Sequence, residues 1–149
     1  MRQRGQKGYQ KILAWQRAHA LVLLVYELLK GFPREELFGL AKQLRDAVIS
    51  VPANIVEGYS RDTAKQYLYH LNVAKGSLAE TEYYLELARD LGYVKPEDYE
   101  EAEALRRETG YLLHRLMLSI EKKVEEQQSG QGAPSGSSDP SAPLGSQTR

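Results

Sequence analysis

Three breaks divide this chain into four long stretches whose apolar residues recur every three to four positions, and that division leaves few folds open. Gly31-Phe32-Pro33 closes the first stretch, Gly58-Tyr59-Ser60-Arg61-Asp62 the second, and Gly92-Tyr93-Val94-Lys95-Pro96 the third. Glycine and proline interrupt helical hydrogen bonding at such points. Thr63-x-x-Gln66 reads as a capping box opening the third helix, and Pro96 stands in a first turn, where a helix tolerates proline best. No stretch alternates with period two, so strands are not expected. Four helices joined by short connections pack as antiparallel neighbours. The expected fold is all-α, an antiparallel up-and-down four-helix bundle.

A chain of 149 residues suffices for one ordinary domain. Residues 1–8 read as a flexible basic arm and 9–128 as the bundle. From 129 to 149, 13 of 21 residues are Gly, Ser or Pro. Such a stretch buries too little apolar surface to offset its ordering entropy, and a disordered tail is expected. The apolar run Ala20–Tyr26 is far shorter than the ~20 residues of a membrane span. No small-residue cleavage pattern follows it, so the expected setting is the cytoplasm, with no membrane partner.

Placing residues at 100° intervals separates the faces of each helix. The second helix carries one core stripe, Leu37, Leu40, Ala41, Leu44, Val48, Val51 and Ile55, and the fourth another, Ala102, Leu105, Leu112, Leu113, Leu116 and Ile120. The third has a core stripe of Tyr67, Leu71, Ala74, Leu78 and Leu85, plus a second apolar stripe of Tyr69, Val73, Leu87 and Leu91 with Tyr84 beside it. The first is apolar over more than half its circumference, round to Trp15 and Tyr26. A bundle needs one buried stripe per helix, so Trp15, Tyr26, Tyr69, Val73, Tyr84, Leu87 and Leu91 form a candidate oligomer interface. The alternative is that the arm or the tail covers them.

Pro52 lies inside the second helix, where it deletes a hydrogen bond and is expected to kink or split the helix. Asn54, Glu57 and Arg61 follow at helical spacing, with Gly58 beside them. They either form a polar site beside the bend, satisfy backbone groups the proline frees, or bridge to a neighbouring subunit. Gly76 and Gly110 fall in mid-helix within about a turn of facing each other, which close backbone approach would explain.

Catalytic patterns are absent from the sequence. There is no cysteine, and none of His19, His70 and His114 has a glutamate three residues before it, as di-iron bundles require. No HExxH, G-x-S-x-G, phosphate-binding glycine loop or EF-hand loop occurs. The reading is therefore not an enzyme, with no cofactor and no metal. The 20 Lys+Arg balance 20 Asp+Glu, which excludes indiscriminate coating of nucleic acid. Residues 1–75 nevertheless hold 12 basic and 6 acidic side chains. Lys11, Arg17, Lys42, Arg45, Arg61 and Lys65 thus form a candidate basic edge for phosphates. The alternatives are ordinary solvated faces and pairing with the acidic half, within the chain or head to tail between neighbours in a ring.

A series of short motifs in order resembles the small four-helix-bundle proteins associated with intervening sequences in bacterial 23S ribosomal RNA, the S23-like family. These are Ala14-Trp15-Gln16-Arg17-Ala18, Phe32-Pro33-Arg34-Glu35-Glu36, Phe38-Gly39-Leu40, and Gln43-Leu44-Arg45-Asp46-Ala47. Ser50-Val51-Pro52-Ala53-Asn54-Ile55-Val56-Glu57-Gly58-Tyr59 is the strongest, followed by Gly76-Ser77-Leu78-Ala79-Glu80 and Ala88-Arg89-Asp90-Leu91-Gly92-Tyr93. The resemblance implies a ring, typically a homopentamer, and kinship with the accessory proteins of diversity-generating retroelements, which bind a reverse transcriptase and nucleic acid. The expected function is a non-enzymatic, ring-forming bundle that binds structured RNA or another nucleic acid through a basic edge. The alternative is a protein-binding adaptor, such as a reverse-transcriptase accessory subunit.

Overall fold

The computed structural model describes residues 7–132. Four helices follow one another: α1 (Leu13–Leu29), α2 (Leu40–Tyr59), α3 (Ala64–Asp90) and α4 (Pro96–Gly132). A 3-10 turn, Gly8–Lys11, leads into α1, and a second, Arg34–Glu36, lies between α1 and α2. Among the described residues there is no strand.

The breaks work through identifiable caps. Thr63 Oγ1 accepts the Gln66 N–H at 3.2 Å and opens α3. At the other end Gly92 takes φ 77°, the left-handed conformation that favours glycine. Tyr93 N–H then donates to Ala88 O and Gly92 N–H to Arg89 O, each at 2.9 Å, which are the two bonds of a Schellman motif. Glu36 Oε2 accepts the Leu40 N–H at 2.8 Å at the start of α2. Leu37, expected in the core stripe, precedes the helix and is 49% exposed. The remaining six members of that stripe are buried.

Helix α1 packs on α2 and α4, and α3 packs on the same two, with α2–α3 the most extensive contact. Ser50 of α2 bonds Ser77 of α3 while Asn54 meets His70, so the two helices run in opposite senses. Likewise Ala64 N–H bonds Gln127 while Glu82 meets Arg106 across α3 and α4. One end of the bundle therefore gathers the start of α1, the α2–α3 connection and the last turns of α4. Leu21, Val25, Leu44, Val48, Ile55, Leu71, Leu85 and Leu113 fill the centre, all essentially inaccessible.

Helix α4 continues through Gly132, four residues beyond the expected end of the bundle at 128. The tail from 133 onward and the first six residues of the arm lie outside the described residues. Pro52 does not split α2, which runs unbroken around a buried proline ring.

The glycines differ from expectation. A Cβ on Gly76 would meet nothing within 4 Å, and one on Gly110 only Leu78 Cδ2 at 3.5 Å, so neither marks a close backbone approach. Each helix turns those positions away from the tightest contact. Gly58 does mark one: a Cβ there would lie 2.7 Å from Tyr67 Cδ2 and 3.0 Å from His70 Cβ. Gly58→Ala is expected to cost about 1–3 kcal/mol through overpacking. Gly76→Ala should add up to about 1 kcal/mol of helix stability. Denaturant unfolding of both variants checks this, and equal effects would contradict the packing described.

Candidate functional site

The motif around Pro52 builds a polar seam between α2 and α3. Asn54 Nδ2 donates to Ser50 O at 2.8 Å and to Ser50 Oγ at 3.0 Å. Ser77 Oγ donates to the same Ser50 Oγ at 2.8 Å, and Thr81 Oγ1 to Ser77 O at 2.9 Å. His70 Nδ1 lies 3.3 Å from Asn54 Oδ1, and Arg61 Nε donates to His70 Nε2 at 3.3 Å. Because Nε2 accepts from arginine, the ring proton belongs on Nδ1, where it donates to Asn54 Oδ1. That leaves the Asn54 amide free to donate to Ser50. Glu57 Oε1 accepts from Arg61 Nη2 at 2.7 Å and closes the seam at its solvent end.

Asn54, Glu57 and Arg61 thus meet through His70, which the sequence reading did not include. A visible signal was available: His70, Ser77 and Thr81 sit one position before or within the core row of α3, where only satisfied polar groups are tolerated. No buried side-chain polar atom among the described residues lacks a hydrogen-bond partner. The seam aligns two helices, and in it His70 Nδ1 also lies 3.8 Å from Glu57 Oε2. No group of three or more metal-ligating side chains occurs among the described residues.

The candidate basic edge does not stay together. Lys42 and Arg45 ride on the first turns of α2, about 25 Å along the helix from its other end at 1.5 Å per residue. Lys42 pairs with Asp46, and Arg17 pairs with Glu108 of α4 at 2.9 Å. Lys11, Arg61 and Lys65 share the opposite end of the bundle. Lys7 joins them because the N-terminal turn packs on α2, with Gly8 against the Tyr59 hydroxyl. Lys7, Lys11 and Lys65 make no ion pair with another described residue. A sequence cannot show this division, because it requires knowing where α2 turns back.

The apolar candidates fall into two sets. On α3, Tyr69 is 66% exposed, and Val73 and Leu91 are exposed with it. Tyr83 extends the row, and exposed Gly76 lies within it. Tyr84 and Leu87, expected on this row, pack partly against the core, since long side chains reach round the flank of a helix. On α1, Tyr26 is exposed, while Trp15 is half-buried, stacked on His19 at 4.9 Å and met edge-on by Tyr9 at 5.2 Å.

At the basic end, burial and then neighbouring Tyr59 push the Tyr67 hydroxyl up to about 12. The unfolded chain loses this proton near pH 10 and the fold keeps it until about pH 12. The stabilising contribution is therefore intact below pH 10 and is lost as pH rises through that window. Denaturant unfolding between pH 9 and 12 should show the decline, reduced in Tyr67→Phe.

The fold and its surfaces define the class, a small all-helical bundle. Residues 10–115 match the model of the family described as 23S rRNA-intervening sequence protein, and the chain belongs to that family. It is similar to a solved structure from Bacteroides thetaiotaomicron, described as a protein with unknown function from the S23 ribosomal protein family. The two share 26% sequence identity with a TM-score of 0.65, covering 70% of this chain and 98% of that one. No curated protein matches the chain. No described helix is long and apolar enough to cross a membrane.

Proposed function

We propose that this protein is a non-enzymatic, self-associating cytoplasmic bundle that contacts structured RNA through one end. The observation that carries the reading is the convergence of Lys7, Lys11, Arg61 and Lys65, from two separate segments, at the end where the N-terminal turn abuts the α2–α3 connection. Arg61 is held in place by hydrogen bonds to Glu57 and His70 and remains partly exposed. Phosphates suit such a group, and the family description ties its members to 23S rRNA.

Binding of 23S rRNA fragments should fall with salt, with a log–log slope of about −3 if four phosphates are neutralised. The combined variant K7Q, K11Q, R61Q, K65Q should flatten that slope, and K42Q, R45Q should leave it unchanged. Undetectable binding at low salt, or equal effects of the two variants, would sink the proposal.

The exposed α3 row supports self-association, and a homopentamer is what the family resemblance implies. The mass in sedimentation should exceed the 16.9 kDa of one chain at micromolar concentration. Combining Y69E, V73E and Y83E should return it to that value with helix content retained. A wild-type monomer would refute this part of the reading. The same row also supports a protein-binding adaptor, with a reverse transcriptase as partner. In that case the row variants abolish partner capture while the basic-end variants do not.

A further inference from the structure

A shallow groove of about 250 Å³ runs between α1 and α2, bounded by Tyr9, Trp15 and His19 on one side and by Pro52 and Ala53 on the other. Its lining contains no carboxylate, and Pro52 contributes no backbone N–H to its floor. The aromatic side is built. Trp15 and His19 lie one turn apart with their rings parallel to within 8°, and Tyr9 closes the end at 67° to the indole. Tyr9 is fixed in turn, because Gln16 Nε2 donates to Gln10 O at 2.8 Å and ties the 3-10 turn to α1.

From this geometry we infer that the groove takes an unpaired nucleotide of single-stranded RNA, its base against the Tyr9–Trp15–His19 cluster and its phosphates toward Lys7 and Lys11. The inference rests on the RNA-binding function proposed above and adds to it a site for a single base. Charge complementarity selects this occupant. Lys7 and Lys11 stand two residues either side of Tyr9, which lines the groove. An apolar, aromatic slot beside cationic side chains is the chemistry that stacks a base and holds its backbone with little regard to sequence. A duplex offers no free base face to the aromatic side, because its bases are already stacked on one another.

Trp15 is the single tryptophan of the chain, so its emission reports on the groove alone. Full-length protein would be titrated with octauridylate, octaadenylate and an eight-base-pair RNA duplex. Tryptophan emission and the anisotropy of labelled RNA would be read separately. The single strands should quench Trp15 and the duplex should not. His19→Ala and the groove-filling Ala53→Phe should each weaken single-strand binding about 5- to 150-fold, the range that stacking on one aromatic side chain spans. Both variants should keep the helix content and the salt dependence of binding to 23S rRNA fragments. If single strands bind by anisotropy with Trp15 emission unchanged, or both variants bind like wild type, the groove assignment is wrong and the RNA function stands. Failure to bind any RNA removes both. Emission that changes on dilution without RNA, in step with the mass, assigns the groove to a second copy of the chain and also overturns the inference.

Discussion

The close approach of α2 and α3 at Gly58 sets the position of everything else at this end of the molecule. With no side chain there, the Tyr67 ring and the His70 Cβ come against the α2 backbone. That proximity puts His70 within reach of both Asn54 and Arg61. The asparagine can then bond Ser50, and Ser50 can receive Ser77 from across the interface. A bulkier residue at 58 would separate the helices and leave several of these groups without partners at once, and buried polar groups are costly when unpaired. The motif from Ser50 to Gly58 is best understood as one device that fixes the spacing and register of two helices. Its polar residues supply direction where a purely apolar contact would allow sliding.

Much of this architecture is legible in the chain. Caps and breaks are local chemistry, so Thr63, Gly92 and Pro96 mark helix ends without reference to the rest of the fold. Helical period likewise assigns Leu44, Val48, Leu71 and Leu85 to the centre. Period gives an angle around one helix, however, and says nothing of which neighbour lies at that angle or how near. Gly76 and Gly110 show the consequence: both stand at plausible contact angles, and neither meets a close neighbour. The position of His70 beside the core row was legible, but its partners were not, since Asn54 lies on α2 and Arg61 in the α2–α3 connection.

Charge shows the same limit more strongly. Division of the sequence into a basic first half and an acidic second half does not survive folding, because each helix crosses the whole bundle. Arg17 leaves the supposed edge to pair with Glu108, and Lys42 and Arg45 travel to the far end. At that end, the α3–α4 connection brings together Glu86, Asp90, Glu97, Asp98, Glu100, Glu101 and Glu103 with Arg89, Lys95, Arg106 and Arg107, near Lys42 and Arg45 of α2. Glu97 and Asp98 there complement the positive end of the α4 dipole. Arg106 binds Glu103 through two hydrogen bonds, at 2.8 and 2.6 Å, and holds its carboxyl below the usual range. Carboxylates thus crowd the α3–α4 connection, while Lys7, Lys11 and Lys65 lie at the other end, together with Glu121, Glu125 and Glu126 from the last turns of α4.

End-to-end polarity constrains any ring this chain forms. Rotation about an axis lying along the bundles leaves every copy pointing the same way. In a ring of that kind like ends would gather on the same side. The apolar α3 row, where Tyr69, Val73 and Tyr83 surround exposed Gly76, offers a surface for lateral contact. The resulting assembly would multiply the lysine-bearing end on one face and the carboxylates on the other. If the assembly forms, such a face would hold a phosphate chain through more contacts than a single bundle can, each contributing its own counterion release. The self-association and RNA contact proposed above would then draw on one arrangement, the first on the sides of the bundle and the second on its end.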